Sequence, residues 1–342
     1  MKEKLTWTAT WMAAIAASAV GAWAQTPVRL LHVIALDKSG QPVTDLNAKD
    51  LRLADAGKTQ SILSLQPNDG RTVAAEPHSV IILFDLLNND YLDRGYVAGT
   101  ILHSLERAKD PDNIYLYILT NKATVYPVRA LQAPGTPARD HDWTLHAKDL
   151  IDDAINHVFG VRPVDQRFEA NRVAESFEIL SHMASVLAKV PGRKSIVWST
   201  RGFPAMLRFV SSCPEYTFED IHLTCQGTAF DFTPVLHRVA AEMVQAGITL
   251  YAVDEADSVD PVLARAMLTE LTGATGGKVY TAGLTPAALA EASAGLRFYY
   301  SLSYQPADGN WDGKFHRVKL TCSNKDVQLL AEAGYVADAP AK

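Results

Sequence analysis

The sequence predicts an α/β domain, built on a mainly parallel central sheet, inserted into a β-sandwich made from the two ends of the chain. Three observations carry this. Val80–Phe84, Ser195–Trp198 and Thr249–Val253 are short, continuously apolar runs ended by polar residues, the mark of strands buried on both faces. Between them lie segments whose apolar residues recur at helical spacing, and strand–helix repetition on this scale argues for a parallel sheet covered by helices. Before residue 70 and after residue 297 the pattern turns to period-two alternation with turn residues between. Neither end could cover both faces of its own strands.

The chain opens with Lys2 and Lys4, a mostly apolar stretch from Leu5 to Val20, and Ala22-Trp23-Ala24 before Gln25. That is the plan of a secretory signal peptide over residues 1–24. Thr6, Thr8 and Thr10 interrupt the stretch, which is also short for a membrane span. Residues 25–70 hold the first sandwich strands. Val28–Leu36 runs to a turn at Asp37–Gly40, Leu51–Leu53 to a turn at Asp55–Lys58, and Ile62–Leu63 follows. Pro67–Pro77, polar with scattered Gly and Pro, reads as the linker into the inserted domain, residues 78–297.

His78–Asp85 is its opening strand. Asn89 or Asp90 caps a helix with Val97, Ile101, Leu105 and Ala108 on one face, and Pro111-Asp112-Asn113 breaks it. Ile114–Leu119, a turn at Asn121-Lys122 and Ala123–Val128 make an edge hairpin. Trp143–Val158 and Arg172–Val190 are helices, the second striped by Val173, Phe177, Leu180, Ala184 and Leu187 and stopped by Pro191-Gly192. Ser195–Trp198 is buried strand, and Phe203–Ala229 reads as a long irregular insertion. Thr233 caps a helix with Pro234 in its first turn, ending at Gly247. Thr249–Val253, a helix over Pro261–Leu271, a short strand at Lys278–Thr281 and a helix over Pro286–Leu296 complete the unit. From Phe298 to residue 337, strands at Phe298–Tyr304, Phe315–Thr321 and Val327–Leu330 return to the sandwich. The alternation of Phe298, Tyr300 and Tyr304 reads as sheet packing.

The formal net charge is −6 with no basic cluster, so nucleic acid is excluded as an expected partner. No segment after the leader is apolar enough to span a bilayer. Of the three cysteines, Cys213 and Cys225 lie in one polar insertion and are expected to pair in an oxidising compartment; Cys322 is left over. The ten histidines are dispersed, without the spacing of a metal or catalytic pair. Gly273–Gly277 follows a helix and precedes a strand, the reverse of a phosphate-cradling loop, and reads as a helix C-cap. There is no Gly-x-Ser-x-Gly elbow, and no histidine has a sequence reason to lie beside Ser199 or Thr200.

Several stretches together resemble the von Willebrand factor A-related proteins of acidobacterial genomes. These are Val80–Asn89 with its Asp-x-Leu-Asn ending, Pro191-Gly192-Arg193-Lys194 leading into Val197-Trp198-Ser199, and Leu271–Tyr280. Tyr300–Pro306 with Gly313–Arg317 resembles that group's C-terminal signature, and Leu51–Lys58 its N-terminal β unit. The resemblance implies a Rossmann-like sheet in which the strand ending at Asp85 neighbours the strand ending at Ser199, with their loops flanking the ligand crevice. The wider family places a metal-ion-dependent adhesion site there, built from Asp-x-Ser-x-Ser, a Thr in a middle loop and Thr-Asp-Gly.

Against that pattern Asp85 is kept, but Leu87 and Asn89 replace the serines, and Thr200-Arg201-Gly202 stands where Thr-Asp-Gly belongs. Arg162–Asn171 offers no threonine. The expected crevice is therefore Asp85, Leu87, Asn89, Asp90, Thr200 and Arg201, with the Arg201 guanidinium paired to Asp85 in place of an ion. The rival is a weakened Mg²⁺ or Ca²⁺ site on Asp85, Asn89 and Asp90. The function expected is an exported, non-enzymatic protein-binding or adhesion-type module, with no cofactor favoured, that meets its protein partner through this crevice and the Phe203–Ala229 insertion. The alternatives are a structural envelope component with an inert crevice and, last, a hydrolase using the same crevice.

Overall fold

The computed structural model describes residues 28–69, 78–89, 94–108, 111–131, 143–157, 166–212, 226–255, 261–306 and 311–337. The leader, Asp90, Cys213 and Cys225 lie outside them.

The first four strands are β1 (Arg29–Leu36), β2 (Leu51–Asp55), β3 (Lys58–Gln60) and β4 (Ile62–Asp69). The α/β unit then runs β5 (His78–Asp85), α1 (Arg94–Glu106), β6 (Ile114–Leu119), β7 (Val125–Arg129), α2 (Trp143–His157), α3 (Gln166–Leu187) and β8 (Arg193–Thr200). It continues with β9 (Met206–Ser212), β10 (Gln226–Asp231), α4 (Thr233–Gln245), β11 (Ile248–Asp254), α5 (Pro261–Ala274), β12 (Val279–Thr281) and α6 (Thr285–Arg297). The last strands are β13 (Phe298–Tyr304), β14 (Phe315–Cys322), β15 (Gln328–Ala331) and β16 (Gly334–Val336).

The central sheet has six strands in the order β12-β11-β8-β5-β6-β7. All neighbours are parallel except the β6–β7 hairpin at one edge. β5, β8 and β11 are buried almost throughout, as continuous apolar runs require. One face packs on α1, α2 and α6 through Val97, Ile101, Trp143 and Ala292; the other packs on α3, α4 and α5 through Phe177, Leu180, Val239 and Leu268. The α3 stripe read from the sequence is buried in full.

Each end of the chain completes the other's sheets. One four-stranded sheet runs β15-β1-β13-β4 and the second β16-β14-β2-β3, so each draws strands from both termini. Leu31, Val33, Leu53, Phe298, Tyr300, Leu302 and Tyr304 share a core between them. The half-exposed residues of β13 alternate with these, in keeping with its aromatic pattern.

Several elements depart from the sequence reading. β4 extends through Pro67, expected as linker, and Pro67 pairs with Tyr300. A proline fits there because β4 is an edge strand, where its missing N–H leaves no ladder bond open. Each terminus supplies four strands rather than three, the added ones being the short β3 and β16. The stretch expected to be an irregular insertion contains an antiparallel pair, β9 with β10. Thr233 is the first helical residue rather than the cap; its N–H is met by the Asp231 carboxylate at 2.9 Å. α3 begins at Gln166, inside the stretch expected to be a middle loop. The Gly273–Gly277 stretch does close α5: Gly276 has φ of +84°, and Gly277 N–H donates to the Thr272 carbonyl at 2.9 Å.

Candidate functional site

β5 and β8 lie side by side, with Phe84 opposite Ser199, so Asp85 and Thr200 meet at the carboxyl end of the sheet. This is the position at which open parallel sheets form a ligand crevice. Asp85 is fully buried. Its Oδ1 accepts from the N–H groups of Leu87 (2.9 Å) and Asn88 (2.8 Å). Its Oδ2 accepts from Asn88 Nδ2 (2.8 Å), Trp198 Nε1 (3.0 Å) and Thr200 Oγ1 (2.7 Å). Every contact donates to the carboxyl, the pattern that suits its ionised form. Burial pushes Asp85 above the ordinary carboxylate range, against hydrogen bonds from Asn88 and Thr200 and the nearby Arg172 charge, which pull the other way.

A polar relay extends from this carboxylate to α3. Asn88 Oδ1 accepts from Arg172 Nη1, and Asn88 Nδ2 also reaches Ser176 Oγ at 3.1 Å. The same guanidinium is held from its other side by Glu169, with Arg172 Nη2 at 2.5 Å from Oε2. Toward β11, Asn89 Nδ2 donates to the Ser199 carbonyl at 3.3 Å, and Ser199 Oγ donates to Glu255 Oε1 at 2.8 Å. Asp254, at the end of β11, accepts from Arg265 at 3.0 Å. Arg94 closes the near side by donating to the Leu86 carbonyl at 2.9 Å.

The residues expected at the crevice take unequal places. Asp85, Asn89 and Thr200 cluster as expected but are buried. Leu87 contributes only its N–H to the site; its side chain joins the apolar cluster under α3 and α4. Arg201 is half-buried and has a contact of its own within the protein. The hydrogen bonds found on Asp85 come from Leu87, Asn88, Trp198 and Thr200, so the carboxylate is satisfied without the expected Arg201 bridge. Thr200, Trp198 and Asn88 hold its Oδ2, and the Arg172 guanidinium lies near enough for its charge to act on it.

Of the residues missed, Asn88 carries a usable signal. An Asn three places after an Asp at a strand end is well placed for a local side-chain turn. Arg172 has none, being 84 residues away from Asn88 along the chain. As ligands for a cation, the expected set has little left: Asp85 already meets five donors, more than the roughly four lone-pair directions of a carboxylate. Asn89 Oδ1 is a buried acceptor with no hydrogen bond.

No protein-family model matches the chain, and no curated protein does. Among solved structures it is similar to a point mutant of the PilB minor pilin from Streptococcus sanguinis, with 13% identity and a TM-score of 0.38 over 66% of this chain and 61% of that one. It is also similar to the pilus adhesin SpaC from Lactobacillus rhamnosus GG, with 11% identity and a TM-score of 0.34 over 84% of this chain and 48% of that one. The human COPII-coat protein Sec24c gives 11% identity and a TM-score of 0.34, over 76% of this chain and 43% of that one.

Proposed function

We propose that this chain is an exported, non-catalytic protein-binding module of the von Willebrand A type, whose crevice recognises its partner without a metal ion. The observation that carries the reading is the saturation of Asp85 by five protein donors. A carboxylate so engaged locks the β5 loop to β8; turning it toward an ion would strip donors from a buried group, at a cost of about 1–3 kcal/mol for each left unsatisfied. The neighbouring placement of β5 and β8 is what the family resemblance implies, and supports it. Recognition then falls to the rim, where Arg201 brings a permanent cation suited to a partner's carboxylate. Export rests on the leader-like first 24 residues.

The test has two arms. Titration calorimetry with Mg²⁺, Mn²⁺ and Ca²⁺ is expected to give no stoichiometric heat; tight one-to-one binding would overturn the metal-free reading. Immobilised wild-type and Arg201→Glu chains are then exposed to envelope extract with and without EDTA. Capture that resists EDTA and is lost in the variant supports the crevice as the contact. Capture unchanged in the variant, or absent from both, favours a structural envelope component instead.

A further inference from the structure

A cavity of about 680 Å³ lies where the sandwich meets the inserted unit, away from the Asp85 cluster. Its walls are the turn after β1 (Gln41, Pro42), the end of α1 (Arg107), the start of β6 (Ile114), and one face of α6 running to Arg297 and Phe298. The register separates the two sites: Ile114 pairs with Val80, at the opposite end of β5 from Asp85. At about 3.3 Å per residue, Val80 and Asp85 are roughly 16 Å apart along the strand. Cavities of this size at domain junctions, apolar with a few charged groups, are the usual form of small-molecule sites.

Both walls are tied into the fold. Asp37 Oδ1 accepts from Ser39 N–H (2.8 Å), Ser39 Oγ (2.7 Å) and Gln41 N–H (2.9 Å), and Val43 N–H donates to the Ala35 carbonyl at 2.8 Å. These bonds close the turn on itself and tie it to the end of β1. On the other side, Ala288 and Ala292 bury α6 against the sheet.

Among the described lining residues, the charge that stands exposed at the cavity is Arg107. The charged lining residues are Arg107, Arg297 and Glu291, and Glu291 is neutralised by Lys278 at 2.5 Å. Arg297 is half-buried and engaged within the protein, whereas Arg107 is exposed. The body of the chamber is Pro42, Ile114, Leu289 and Phe298. We infer that this cavity binds a small amphipathic carboxylate, its chain against the apolar walls and its head group on Arg107. Guanidiniums bind carboxylates bidentately and discriminate against cations of the same shape. Such a ligand would bridge sandwich and insert, since both supply its walls.

Calorimetry on the purified chain with octanoate and octylammonium tests this. Octanoate is expected to bind one-to-one, at least about tenfold more tightly than octylammonium, a difference of about 1.4 kcal/mol. Arg107→Glu is expected to weaken octanoate by at least about tenfold, with melting unchanged because Arg107 is exposed. Ala294→Trp, which fills the chamber, is expected to abolish binding; should that variant not fold, Arg107→Glu decides alone. Arg201→Glu, at the other site, is expected to leave octanoate binding intact. No binding at millimolar octanoate, equal binding of octanoate and octylammonium, or an unchanged Arg107→Glu would overturn the proposal. So would octanoate uptake seen only above its aggregation threshold, which signals a detergent-like surface effect.

Discussion

Thr200, the last residue of β8, donates its hydroxyl to Oδ2 of Asp85, the last residue of β5, at 2.7 Å. The same hydroxyl accepts the Gly202 N–H at 3.0 Å, so one side chain ties the strand ends together and sets the turn that carries Arg201. Asp85→Asn puts an amide donor against donors already fixed on Trp198 and Asn88. With each unsatisfied buried group costing about 1–3 kcal/mol, the loss should reach about 3 kcal/mol or more. Thr200→Val removes one donor and strands the Gly202 N–H, for about 1–2 kcal/mol. Urea midpoints check both, and Asp85→Asn unfolding at the wild-type midpoint would show that the carboxylate is not the keystone.

A second contact joins the inserted unit to the sandwich. Glu270 of α5 accepts from His237 of α4 at 3.0 Å and from Arg317 of β14 at 2.7 Å, while the His237 ring stacks on Phe315 with centroids 3.9 Å apart. Burial pushes Glu270 upward, but the hydrogen bonds and charges of His237 and Arg317 outweigh it and hold the carboxyl below its ordinary 4.5. A depressed carboxylate stabilises the fold above its unfolded value and loses that stabilisation as pH falls through the folded one. Wild type should therefore lose stability below about pH 4.5 more steeply than Glu270→Gln. Parallel urea-midpoint curves between pH 3 and 6 would refute the role.

The sequence displays the β5, β8 and β11 strands because burial on both faces leaves continuous apolar runs. It displays α3 because five core contacts fall at helical spacing. The sandwich is legible as mutual need, and Leu53 opposite Leu320 and Leu31 opposite Leu302 show that need met. β16 is hidden by its brevity, and β9 with β10 by exposure, since Met206 and Phe230 are solvent-facing and leave no clean alternation. At the site, the position of Asp85 is readable from its place after an apolar run. Its partners are not, because the Arg172 and Trp198 contacts depend on tertiary placement that spacing does not encode. Leu87 departs from expectation because a loop residue aligned with a metal ligand need not face the crevice; here it faces the core.

Gly277 is sterically obligatory. A Cβ there would overlap the Leu250 carbonyl oxygen, a backbone atom of β11 that cannot swing aside. Gly95 in α1 meets nothing within 4 Å. Gly277→Ala should cost more than about 4 kcal/mol, in the range of severe backbone conflicts, or yield insoluble protein. Gly95→Ala should be neutral or stabilising by about 0.5–1 kcal/mol. Thermal melts of the two variants side by side separate steric exclusion from a general intolerance of the chain.

The sandwich has its own polar tie, and its pH response runs the other way. Asp55, buried at the end of β2, accepts at Oδ2 from Tyr304 (3.0 Å) and Tyr335 (2.9 Å). Tyr304 reaches across the core from the opposite sheet. Burial first, then the Asp55 charge and hydrogen bond, push Tyr304 far above an ordinary phenol, while burial and its Asp55 hydrogen bond push Tyr335 up to about 12. A raised folded value means that the stabilisation is complete below about pH 10 and falls away as pH rises, because the unfolded phenol ionises first. Tyr304→Phe should lower stability at pH 7 by about 1–3 kcal/mol, since buried Asp55 loses a donor. It should also flatten the decline above pH 10. Urea midpoints from pH 8 to 11 measure both effects, and a variant whose alkaline slope equals that of the wild type would mean that Tyr304 does not hold its proton against Asp55.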